Sequence, residues 1–169
     1  MRRVICICMA VMLCLSIAGC GENKETNPTA VFREGKIVAE IGMTKDETIK
    51  NLGKCDVEAE DGTYIIHDYM QVWFQEDKVN KIAIFDGPYS DYLGNRIGKK
   101  YSGFADKNQV FDYVFYDEEN NKIGSYRNSN AVPKDSDTCK YVIQYYNQDR
   151  DKKIGSIFLF DYQTFIHDN

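Results

Sequence analysis

Met70-Gln71-Val72-Trp73-Phe74-Gln75-Glu76-Asp77-Lys78-Val79-Asn80-Lys81-Ile82-Ala83-Ile84 alternates apolar and polar side chains on both sides of a charged break. A period of two marks a half-buried strand, and two such runs around Glu76-Asp77-Lys78 read as an antiparallel hairpin. The loop length decides which residues share a face. A two-residue loop at Glu76-Asp77 sets Phe74 opposite Val79 and Trp73 opposite Asn80. A three-residue loop ending at Lys78 sets Val72 opposite Ile82 and Trp73 opposite Lys81. Glu76 tolerates positive φ poorly, which favours the longer loop. Met70, Val72, Ile82 and Ile84 then gather on one face, and Trp73 joins Gln71, Lys81 and Ala83 on a more polar one. Trp73 as an ordinary core residue stays open as the competing reading.

The same alternation continues outward. Thr63–His67 precedes the hairpin. Val110–Tyr116 pairs with Lys122–Arg127 across Asp117–Asn121, and Cys139–Tyr146 with Ile154–Asp161 across Asn147–Lys153. Upstream, Thr44-Lys45-Asp46-Glu47 is a capping box that opens a short helix. Asp46 and Glu47 lie in its first turn, and Gly53 is placed to end it. Ile49 and Leu52 give this helix an apolar edge that needs a sheet to lie against. The expected class is α+β, with short helices packed on one face of a curved antiparallel sheet.

The N-terminus reads differently. Met1-Arg2-Arg3 precedes an apolar run from Val4 to Ile17, then Ala18-Gly19-Cys20. This is a secretory signal ending in a lipobox, with Cys20 the residue that takes a diacylglyceryl group. Residues 1–19 are expected to leave as signal peptide, 20–30 to form a flexible tether, and 31–169 to form a single domain. The expected location is the extracytoplasmic face of the cell membrane, held there by lipid. Cys20→Ala should abolish incorporation of labelled lipid, and unchanged labelling would reject the assignment.

Loss of Arg2 and Arg3 takes the net charge from −5 to −7. Such a chain repels nucleic acid and anionic headgroups, so no nucleic acid is expected as partner, and membrane contact is expected through the lipid alone. The 22 aromatic residues, 12 of them tyrosine, suit strands with half-buried faces. Cys55 and Cys139 are an even pair outside the cytoplasm. A disulfide between them, worth roughly 4 kcal/mol, and two free buried thiols are both open readings.

Ile41-Gly42-Met43-Thr44-Lys45-Asp46-Glu47 … Leu52-Gly53, followed by Val72-Trp73-Phe74 … Lys78-Val79, resembles a family of small secreted or lipid-anchored modules. It includes the beta-lactamase inhibitory proteins and the SmpA/OmlA-type outer-membrane lipoproteins. The resemblance covers roughly Ile37 to Phe85. It implies short helices against an antiparallel sheet, used to bind proteins and not to catalyse. Inhibitory members carry two copies, and a degenerate second copy here would start at Ile97-Gly98.

Catalytic signatures are scarce. The chain has two histidines, His67 and His167, with no Gly-x-Ser-x-Gly elbow, His-Glu-x-x-His helix or phosphate-cradling loop. Asn147-Gln148-Asp149-Arg150-Asp151 places oxygens as a calcium loop does, but Lys152 and Phe158 replace the glycine and glutamate such a loop needs. No cofactor and no metal are expected. The expected function is a lipoprotein that binds an unidentified protein in the envelope or at the cell surface, as an envelope component or in an inhibitor- or immunity-like role. Tyr69, Gln71 and Trp73 are its candidate contact residues. The alternative is a cell-envelope enzyme or small-ligand carrier.

Overall fold

The structure, a computed structural model, describes residues 27–127, 137–147 and 151–168. Cys20 and the signal segment lie outside the described residues. The central hairpin pairs β5 (Met70–Gln75) with β6 (Lys78–Ile84). Its turn is the two-residue one, with φ of 51° at Glu76 and 60° at Asp77. The amide of Lys45 donates to the Asp77 carbonyl at 2.9 Å, so the start of a helix holds the tip in this left-handed geometry. Phe74 accordingly faces Val79, yet Trp73 faces Lys81 and Val72 faces Ile82, because Asn80 is the extra residue of a bulge. The expected loop was one residue too long. The bulge restores that residue, and the expected facing follows.

Around this hairpin, β3 (Val57–Glu58), β4 (Tyr64–His67), β8 (Phe111–Tyr116), β9 (Lys122–Tyr126), β10 (Tyr141–Asn147) and β11 (Ile154–Asp161) complete an eight-stranded curved sheet. Its order is β3-β4-β5-β6-β11-β10-β8-β9, antiparallel throughout. Both later hairpins form as expected, although Gln148–Arg150 lie outside the described residues. β1 (Val31–Arg33), β2 (Lys36–Ala39) and β7 (Tyr89–Ser90) form a separate small sheet that the sequence reading did not anticipate.

Each side of the large sheet has its own core. The inner row Ile65–Val72–Ile82–Leu159–Ile143–Val114 runs across six strands, all of it buried. β1, β2 and α1 (Lys45–Leu52) pack over it through Val31, Val38, Ala39 and Leu52. On the outer side, α2 (Tyr162–Asp168) lays Tyr162 and Phe165 onto Tyr113, Phe115, Val142 and Phe160. The α+β class is as expected, but the two helices lie on opposite faces and not on one. The chain reaches α2 directly from β11, where Asp161 accepts the Thr164 amide and hydroxyl and so turns the chain onto the outer side.

The capping box is present in both directions. The Glu47 amide donates to Thr44 Oγ1 at 3.3 Å, and the Thr44 amide to Glu47 Oε2 at 3.3 Å. Thr44→Ala should therefore cost about 1 kcal/mol in urea melts, and a cost near zero would remove Thr44 as the cap. Gly53 ends the helix at φ 89°, where a side chain would be strained.

The structure revises one boundary and decides two readings that the sequence left open. The domain starts before residue 31, because Asn27–Ala30 pack with it: Thr29 and Ala30 are buried, and Thr29 Oγ1 accepts the Ile41 amide. No second copy of the helical motif follows Ile97-Gly98. Turns and a single bridge from Lys100 to Lys153 stand there. The disulfide is not formed. Cys55 and Cys139 are free, and they pack against the cores on opposite sides of the sheet.

The long connection from β7 to β8 closes the inner side with a polar network. Asp91 is buried and accepts from the Tyr145 hydroxyl at 2.5 Å, from Asn95 Nδ2 at 2.8 Å, and from the Leu93 and Asn95 amides. Asp112 accepts from Tyr101 and Ser125, and Tyr92 and Tyr116 share a 2.6 Å contact. Burial first, then the nearby carboxylates and phenols, raises the Tyr101, Tyr116 and Tyr145 phenols well above the ordinary tyrosine value. In the unfolded chain these groups titrate near ~10. Their neutral-state stabilisation is complete below that pH and is lost as pH rises above it. Alkali should thus unfold the protein from about pH 10, with the last tyrosinate absorbance appearing together with loss of the near-ultraviolet circular dichroism. Smooth ionisation of every tyrosine in a folded protein would contradict this.

Candidate binding face

Strand alternation and the β6–β11 and β10–β8 pairings place two continuous rows of side chains on the outer side. One row is Val57–Ile66–Gln71–Ala83–Phe158–Gln144–Tyr113–Tyr126. The other is Tyr64–Trp73–Lys81–Phe160–Val142–Phe115–Gly124. These fifteen positions hold one charge, Lys81, in a chain that is 28% charged. That charge is already engaged. Lys81 Nζ lies 2.6 Å from Asp168 on α2, 4.9 Å from the Trp73 ring centre and 5.3 Å from that of Phe160.

α2 covers the half of this face formed by β8, β10 and the end of β11. Phe165 sits 5.5–5.9 Å from the rings of Phe160, Tyr113 and Phe115. The half formed by β3 to β6 has no such cover among the described residues. There Tyr69 is 57% exposed, Phe85 47% and Val57 46%, while Tyr64, Ile66, Gln71 and Trp73 are half-buried. Phe85 meets Phe158 edge-on at 5.8 Å, and its amide donates to the Tyr69 carbonyl. A solvated sheet face ordinarily carries charged and small polar side chains. Here rings, aliphatics and amides stand in their place.

Of the candidate contacts, Gln71 and Trp73 lie on this face in β5, and Tyr69 stands in the turn just before that strand, where its carbonyl accepts the Phe85 amide. Trp73 is neither a core residue nor fully exposed. One side of its indole packs under Lys81, and it remains half-buried. Phe85, Phe158, Ile66, Tyr64 and Val57 complete the face and were not singled out from sequence. Their alternation was legible, but their common side depends on pairings between distant strands.

Beside the bulge, a cleft of about 600 Å³ opens between the hairpin and α2, lined by Gln75, Asn80, Gln163, Thr164, Ile166, His167 and Asp168. Its one carboxylate is the partner of Lys81. Asn80 Nδ2 donates to Thr164, which itself donates to Asp161, so the amide orientation is set and Asn80 Oδ1 is left buried with no donor. His67, the other histidine, lies 2.8 Å from the buried Tyr89 hydroxyl. Among the described residues, no three His, Cys, Asp or Glu side chains gather as a metal site, and no helix is long and apolar enough to cross a membrane. Of the sequence that resembles a calcium loop, Asn147 is buried and donates to the Gln109 carbonyl, and Asp151 pairs with Lys153. Comparison with protein-family models, with curated proteins and with solved structures gives no match to this chain.

Proposed function

We propose that this protein is an extracytoplasmic lipoprotein, anchored through Cys20, that works as a non-catalytic module and holds a protein partner on the open half of its outer sheet face. The observation that carries the reading is the near absence of charge along two rows that span the sheet. Depletion of charge and enrichment of Tyr, Trp and Phe are the compositional marks of an interface core. Tyr69, Trp73 and Phe85 also carry large areas on few rotatable bonds, which lowers the entropy lost on binding. The resemblance of Ile41–Gly53 and the hairpin to protein-binding lipoproteins supports the same reading.

The alternative, an enzyme or small-ligand carrier, would draw on the cleft beside α2. Its volume suits a small molecule. Its His167 and Asp168 stand at the end of the chain's last helix, and the carboxylate is tied to Lys81. A photo-crosslinking residue at Tyr69 in the intact lipoprotein, in its own cells, should yield a discrete protein adduct, while the same residue at Lys122 on the far edge strand should not. No adduct from Tyr69 would count against a protein partner on this face.

A further inference from the structure

We infer that the partner presents a basic amphipathic helix to the open half of the outer face, a step that rests on the protein-binding reading above. Width, charge and area each narrow the occupant.

α2 shows within this molecule how a helix fills the outer side, with two aromatic side chains seated on rings of β8 and β11 and on Val142 of β10. From β3 to β6 the open half spans three strand spacings, about 14 Å. One further helix of ~10–12 Å diameter fits there beside α2.

The border of this half is acidic. From Lys54 to Asp86 the chain holds eight carboxylates and three lysines. Asp56, Asp68 and Asp86 stand at one end of the strands, and Glu60, Asp61, Glu76 and Asp77 at the other, all exposed. Of the three lysines, Lys81 is committed to Asp168. An aromatic floor whose one charge, Lys81, is already paired, set between two acidic borders, complements an apolar stripe flanked by Lys and Arg.

A second copy of the chain fits poorly. The open half, about 14 by ~20 Å, offers roughly 300 Å², against the ~800 Å² per partner of a stable interface. Two copies face to face would also bring their acidic borders together.

Trp73 is the sole tryptophan, so its emission reports directly on this face. The full chain would be titrated with three tryptophan-free synthetic peptides: a leucine-striped helix flanked by lysine, the same stripe flanked by glutamate, and a scramble of the lysine peptide that destroys the stripe. Only the lysine-flanked helix should give a saturable change, at least about tenfold tighter than the other two, and weakening as salt is raised. Phe85→Ser should reduce its affinity, and so should Glu60→Gln combined with Asp77→Asn, each without loss of the folded circular dichroism signal.

Equal binding of the glutamate-flanked helix or of the scramble would overturn the inference. So would a chain that self-associates through this face, seen as a dimer in sedimentation that Phe85→Ser dissolves. No response to any peptide, with the Tyr69 adduct still formed, would overturn the basic helix and leave the protein-binding reading standing. No response together with no adduct would overturn both.

Discussion

Asp91→Ala is expected to cost about 4 kcal/mol, among the largest losses of any single substitution in this fold. Its carboxylate receives four hydrogen bonds, two from loop amides and two from the Asn95 and Tyr145 side chains. Alanine leaves the Tyr145 hydroxyl buried beside Asn95 with no acceptor, at roughly 1–3 kcal/mol for that group alone. It also releases the turn that starts the long connection over the inner core. In a domain of this size the loss corresponds to a melting temperature lower by roughly 10 °C. Asp91→Asn keeps one oxygen for the loop amides but turns a donor toward the side chains, so about half the cost should remain. Urea melts decide the matter, and a loss below about 1 kcal/mol for alanine would mean that water or the loop re-satisfies these groups.

Phe165→Ala is the second large effect, at about 3–4 kcal/mol. A seven-residue helix has no independent stability, so α2 persists through what it buries. Phe165 is its deepest side chain and touches three rings on two strands, Tyr113 and Phe115 on β8 and Phe160 on β11. Without it the Asn80–Thr164 and Lys81–Asp168 contacts lose their support, and Phe160 and Phe115 become accessible. Melts should show the loss together with increased binding of a hydrophobic dye. An unchanged midpoint would show that Asp161 and the salt bridge hold α2 by themselves.

The hairpin shows how sequence-level reasoning succeeds and where it stops. Alternation in Met70–Ile84 gave the two faces correctly because the period of a strand is local. The turn was misread because its geometry is stabilised from outside the hairpin, by the Lys45 amide on the Asp77 carbonyl, and because a bulge at Asn80 cannot be told from a longer loop by pattern alone. The capping box was legible for the same local reason. The side on which each helix packs was not, since both helices are short and only the path of the chain places α2 outside. The small sheet of β1, β2 and β7 escaped notice because two- to four-residue strands carry too little pattern.

The candidate site follows the same division. Gln71 and Trp73 share one strand, so their common face could be read directly, whereas Tyr69 falls in the turn that precedes it. The two rows with their single charge could not, because they exist only once β6 is paired with β11 and β8 with β10, strands tens of residues apart. The cysteines are the converse case. An even pair invites a bridge, but the sheet itself separates Cys55 from Cys139.

The central claim is that the open outer half is a binding surface and not a structural one. Phe85 tests it most directly, because it is 47% exposed and its ring meets that of Phe158 edge-on. In Phe85→Glu, made in the full-length chain with the photo-crosslinking residue at Tyr69, the stability should stay within about 1 kcal/mol of the parent while the protein adduct disappears. An adduct of undiminished yield in a stably folded Phe85→Glu protein would contradict the account.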